Sequence, residues 1–102
     1  MQVRLTPQAR LDLFAIWHHI ADQSQGAADA VVRRIAQRYQ RLSSFPHRGV
    51  ARPDLHSDAR ALVIERWIIF YRVRSDVVQV VRIVDGTRDL SNISIAPDED
   101  EA

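Results

Sequence analysis

The spacing of apolar residues changes character once along this chain, and that change restricts the fold to a few architectures. Up to residue 44, apolar side chains recur three and four positions apart; from residue 60 they come in short runs rich in β-branched and aromatic types. The first pattern suits helices that bury one stripe, the second suits strands. Residues 46–59 (PHRGVARPDLHSDA) separate the two, with two prolines, a glycine and short polar residues, the composition of a loop.

Within that frame, residues 2–5 (QVRL) alternate and predict a short first strand. Thr6-Pro7 then reads as a helix start, with Thr as N-cap and Pro at the first helical position. The helix should run from about residue 7 to 22, with Ala9, Leu13, Ile16, Trp17 and Ile20 on its core face. A polar break (DQSQG) precedes a second helix, from residue 26 or 27 to 44, whose stripe is Ala28, Val31, Val32, Ile35, Tyr39 and Leu42. Phe45-Pro46 ends it, because a residue before proline is pushed out of the α region. So short a link makes the two helices an antiparallel hairpin. Strands follow at 60–65, 67–74 and 77–84, with a tight turn at Arg74-Ser75-Asp76 and a break at Asp85-Gly86-Thr87. The order is β-α-α-β-β-β. The predicted class is α+β: an antiparallel sheet with the helical hairpin packed on one face. Residues 1–96 form one domain and 97–102 (PDEDEA) an acidic, disordered tail.

Charge is unevenly placed. The net charge is +1, but Asp98, Glu99, Asp100 and Glu101 lie in the tail, leaving fourteen positive against nine negative charges, or +5, over residues 1–97. All fourteen cations are arginine, which a GC-rich genome also produces, so their placement informs more than their identity. The absence of cysteine excludes disulfides and thiolate metal sites. No apolar run reaches membrane-spanning length and the N-terminus lacks a signal-peptide core, so a cytoplasmic location away from the membrane is expected.

The sequence offers little for catalysis. His18 and His19 are helical neighbours that diverge by roughly 100° and cannot chelate one ion together; His47 and His56 lie in the loop, and all four read as surface histidines. No HExxH or G-x-S-x-G motif is present, no serine is paired with a base, and no cofactor or metal is expected. The arginines of the strand region (Arg60, Arg66, Arg72, Arg74, Arg82 and Arg88) instead suggest a half-open sheet face able to dock an acidic partner or a nucleic-acid backbone. On 67–74 the even positions Ile68, Phe70, Arg72 and Arg74 face opposite to Trp67, Ile69, Tyr71 and Val73. A second stripe on the first helix (Leu11, Phe14, Ala15, His18) widens its apolar arc beyond what one sheet face needs, and Arg34, Arg38 and Arg41 form a basic stripe on the second. An apolar strip rimmed with cations fits an amphipathic acidic segment from another chain.

These pieces together resemble the ParE branch of the ParE/RelE toxin superfamily. The likeness runs through LTPQARLDLFAIWHHIA, AADAVVRRIAQRYQRLSSFPHRGVARPDL, ARALVIERWIIFYRV and VVQVVRIVDGTRDL, in order, over residues 3–90. It implies the fold already read, a ParD-like antitoxin laid over helices and sheet, and DNA gyrase as a target blocked by binding. Direct DNA binding is not expected without the antitoxin. By the same resemblance, Arg60, Arg66, Arg72, Arg82 and Arg88 become target-binding candidates, and Leu11, Phe14, His18, Arg34, Arg38 and Arg41 antitoxin-binding candidates. The RelE branch, which cleaves messenger RNA on the ribosome, is the alternative, with Arg72, Arg82 and Arg88 as a phosphate clamp. RelE-type toxins add a Tyr or His shortly after the last arginine, and Asp89–Ser94 here contains neither. Such chemistry needs a group of suitable pKa within reach, so no catalytic residue is assigned. One departure from the ParE pattern is Asp85, where many members carry His before the glycine. It leaves a third reading, a non-toxic binding module.

Overall fold

The computed structural model describes residues 1–87 together with Leu90 and Ile93. Strand β1 (Gln2–Leu5) leads into α1 (Pro7–Ala21) and α2 (Gln25–Gln40), which ends in a 3-10 turn at Arg41–Ser43. Strands β2 (Val50–Ala51), β3 (Ala59–Ile64), β4 (Trp67–Arg74) and β5 (Val77–Asp85) follow, in the spatial order β1-β5-β4-β3-β2. The α+β class and the helical hairpin agree with the sequence reading. The sheet itself is mixed: β1 pairs parallel with β5, residue 2 beside residue 77, while β3, β4 and β5 form the expected antiparallel meander. The hairpin and the loop after it carry the chain to the far edge of the sheet, and four successively antiparallel strands, β2 to β5, then bring it back beside β1. The two-residue β2, inside the region read as loop, adds a fifth strand against Ala61 and Arg60.

Local chemistry sets the element ends. Thr6 Oγ1 accepts from Ala9 N–H at 3.1 Å and caps α1, and Ser24 Oγ caps α2 through Ala27 N–H at 3.1 Å. Trp17 Nε1 donates to Asp29 Oδ1 at 2.8 Å and ties the two helices together. Both meander turns have two residues, with Glu65 and Ser75 in the left-handed region.

The main core lies between hairpin and sheet. Ala9, Leu13, Ile16 and Ile20 from α1, and Ile35 and Tyr39 from α2, meet Leu62, Ile64, Trp67, Ile69, Tyr71, Val78, Val80 and Ile83. The odd positions of β4 therefore face the helices, as the alternation requires. The other sheet face is not bare: Ala59, Phe70, Val81 and Val84 form a second apolar cluster, packed by Leu55 from the loop and by Leu90 and Ile93.

Candidate functional site

Two surfaces carry the residues singled out from sequence. The first is the outer side of the hairpin. Leu11 and Phe14, one turn apart on α1, are 61% and 60% exposed although nearly every other large apolar side chain of the helices is covered. His18 continues the strip and meets Phe14 edge-on, ring centroids 4.4 Å apart, and Trp17 at 5.5 Å. On α2, Arg34 donates two hydrogen bonds to Glu65 at the β3–β4 turn (2.8 and 3.1 Å) and Arg38 is half-buried; Arg41, in the 3-10 turn that follows, is exposed. The structure thus keeps Leu11, Phe14 and His18 together on one ridge, with the α2 arginines on the neighbouring helix.

The second surface is the sheet, and here the arginines do not form one open patch. Arg72 is 3% exposed. Its Nε donates to Asp58 Oδ1 at 2.7 Å, and its terminal nitrogen lies 3.3 Å from His56 Nε2. Arg82 holds Asp12 of α1 in a two-pronged pair at 2.8 and 3.2 Å, and Asp12 Oδ2 also accepts Ile83 N–H at 2.9 Å. Arg60 donates to the carbonyls of His47 and Gly49 and so pins the loop before β2. Arg66 pairs with Asp85 across the end of the sheet. Arg88 lies outside the described residues, as does the acidic tail. A sheet face of shared, outward arginines is therefore absent among the described residues. A cation withdrawn from water needs a partner, and the fold supplies one for buried Arg72 and for half-buried Arg82.

Several residues escaped the sequence reading. Asp12 sits on the inner side of α1 between Ala9 and Ile16, and a carboxylate within an apolar stripe was the available signal that an inward-facing cation must exist. His56 is not a plain surface histidine: its Nδ1 lies 3.0 Å from Asp58 Oδ1. Burial pushes the Asp58 carboxyl up, but Arg72 and His56 together pull it further down, so it stays ionised. Ser57 Oγ approaches the same ring nitrogen at 3.5 Å. Because Ser57 and Asp58 share Nδ1, the imidazole does not bridge them and the trio is no nucleophilic relay. Asp85 accepts from Thr87 N–H and Thr87 Oγ1, and these bonds, with Arg66, hold its carboxyl down at about 2. It is a fixed negative charge where a histidine would titrate. Among the described residues no group of three His, Asp or Glu side chains could hold a metal ion.

A family model described as the ParE toxin of the type II toxin–antitoxin system parDE matches residues 3–90. The chain belongs to the ParE toxin family. Its ParE-type sequence is 36% identical over 64 residues to Toxin ParE3 of Caulobacter vibrioides, an alignment that takes in 63% of this chain and 64% of that protein, so it spans just under two thirds of the curated relative. A solved structure titled as the chromosomal ParDE TA system from P. aeruginosa superposes with a TM-score of 0.73 at 26% identity, over 83% of this chain and 95% of that one. The ParE fold thus accounts for the hairpin, the meander and their order. No helix among the described residues is long and apolar enough to cross a membrane.

Proposed function

We propose that this chain is the toxin of a ParDE-type pair, acting in the cytoplasm by binding rather than by catalysis, with DNA gyrase as its target and a ParD-like antitoxin as its inhibitor. The exposed Leu11–Phe14–His18 ridge carries the antitoxin assignment, since apolar side chains of that size left open on an otherwise packed helix favour a partner's apolar face. Arg34, Arg38 and Arg41, on α2 and the turn that ends it, suit acidic residues in the same segment. The ParD-like partner is the counterpart that the ParDE structural relative names for its own system. For the target, Arg66 is the most exposed of the candidates among the described residues, while Arg72 and Arg82, each held by a carboxylate, support the surface from within.

Phe14→Asp should leave the toxin folded and weaken capture by the antitoxin encoded in the neighbouring reading frame. Unchanged affinity with unchanged circular dichroism would remove the ridge from the interface. Purified gyrase should lose supercoiling activity on addition of the toxin, and regain it with the antitoxin.

One observation favours a second reading, ribosome-dependent RNA cleavage. His56 stands within 3.3 Å of Arg72, which places an acid–base group beside a cation. New cuts in translated messages, abolished by His56→Ala, would select this reading. Intact messages and unimpaired gyrase would leave the non-toxic binding module.

A further inference from the structure

The outer face of the sheet, away from the helices, divides into two halves. One half is apolar: Ala59, Phe70, Val81 and Val84, with Ile68 packed beside them. Leu55 covers it from the loop, and Leu90 and Ile93 bring the chain back over it after β5 ends at Asp85. The other half is polar. Val3 and Leu5 of β1, and Val78 and Val80 of β5, pack toward the helices. Gln2, Arg4 and Gln79 therefore face outward, with the even positions Arg72 and Arg74 of β4. The register sets Arg4, Gln79 and Arg72 side by side on neighbouring strands, with Arg74 one outward position further along β4.

This half holds three arginines. Asp58 pairs with Arg72, which is buried. Arg4 is exposed and has no ionic partner among the described residues; it donates one hydrogen bond, to Gln2 Oε1 at 3.2 Å. Opposite charge follows directly in the chain. Beyond Ile93 come residues 94–102, with Asp98, Glu99, Asp100 and Glu101 in succession. The five residues from Ile93 to Asp98 span up to about 17 Å when extended. Arg74 lies four residues along β4 from Phe70, a distance of about 13 Å. The acidic run is thus long enough to pass from the apolar half to the arginines. A single exposed ion pair is weak and screened by salt. A segment tethered by a few residues, however, meets its site at an effective concentration on the order of millimolar, so several weak pairs act together.

We propose that residues 97–102, in place of the disorder their composition suggests, dock on the polar half of this face, their carboxylates on Arg4 and Arg74 above buried Arg72. Held there, the tail competes with any other polyanion that approaches these cations or the neighbouring Arg72–His56 pair. The contact lies within one chain and rests on neither the gyrase nor the antitoxin assignment.

Paramagnetic broadening of backbone amides in the full chain tests it. The sequence has no cysteine, so Ala102→Cys gives a unique site for a nitroxide label. At about 0.02 M salt, amides of Gln2–Leu5 and of residues 72–77 should broaden most, and those of α2 and of residues 64–67, at the other end of the sheet, least. The pattern should fade at about 0.5 M salt. It should fade at low salt too when Asp98→Asn, Glu99→Gln, Asp100→Asn and Glu101→Gln are combined. Arg4→Gln should lower the docking equilibrium about two- to fivefold, whereas the same charge change on α1, Arg10→Gln, should leave it unaltered. Broadening spread evenly over both ends of the sheet, or centred on the α2 arginines, would overturn the proposal. So would broadening that survives both high salt and neutralisation of the tail, or equal effects of Arg4→Gln and Arg10→Gln.

Discussion

Tyr71 shows how much one side chain organises. Its ring is fully buried against the helices, while its hydroxyl donates to Pro46 O and accepts from Gly49 N–H, each at 2.8 Å. The loop before β2 is therefore fastened to the centre of the sheet. A Cβ at Gly49 would sit 2.8 Å from both the Tyr71 hydroxyl and Ala61 O, so the close approach requires glycine. Tyr71→Phe leaves both loop groups without a partner and should cost about 1–3 kcal/mol in urea unfolding. Asp85 gives a residue-scale pH dependence. Its carboxyl is lowered from 3.8 to about 2, chiefly by Thr87 and then by Arg66. A carboxyl depressed in the folded state contributes stability that is present above its unfolded value and lost as pH falls through the folded one. Stability should thus decline between about pH 4 and pH 2, and Asp85→Asn should flatten that decline. An identical acid limb in the variant would show that other carboxyls carry it.

At the scale of elements, the informative feature is how α1 closes the edge of β5. Strand β1 stops at Leu5, so β5 beyond Val80 has no strand on that side. Thr6 N–H donates to Val80 O, Thr6 Oγ1 donates to Val81 O, and Asp12 receives Ile83 N–H. The helix start substitutes for the missing strand and leaves little edge for another chain to pair with. A bulge at Val81, where the register slips between Phe70 and Tyr71, marks the same place. The two N-caps should then differ in weight. Ser24→Ala removes one capping bond and should cost about 1 kcal/mol. Thr6→Val removes the cap and the Val81 bond together, in a buried position, and should cost about 2–3 kcal/mol. Equal losses for both variants would show that the Val81 bond contributes nothing beyond the cap.

For the molecule as a whole, the parallel pairing of β1 with β5 joins the two ends of the described chain. Met1 adds to this closure, its amino group donating to Ser43 O at 3.0 Å. A chain terminus is ordinarily the first part to fray, but here it is a strand of the sheet. Native-state hydrogen exchange should therefore find the ladder amides of β1 opening with those of β5, and the two-residue β2 opening earlier. Rapid exchange throughout Gln2–Leu5 would place β1 outside the cooperative unit.

Periodicity and punctuation were enough to read the helices, the meander, the cap at Thr6 and the two faces of β4, because these depend on neighbours a few residues apart. The outward ridge on α1 was legible for the same reason: it is an excess over what one core face can bury. Partners distant in the chain were not. Nothing local announces that Arg82 will meet Asp12, that Arg72 will be buried with Asp58 and His56, or that β1 will lie parallel to β5. An arginine in a strand reads as a surface charge until a carboxylate from another element arrives to neutralise it, and that arrival is settled by packing.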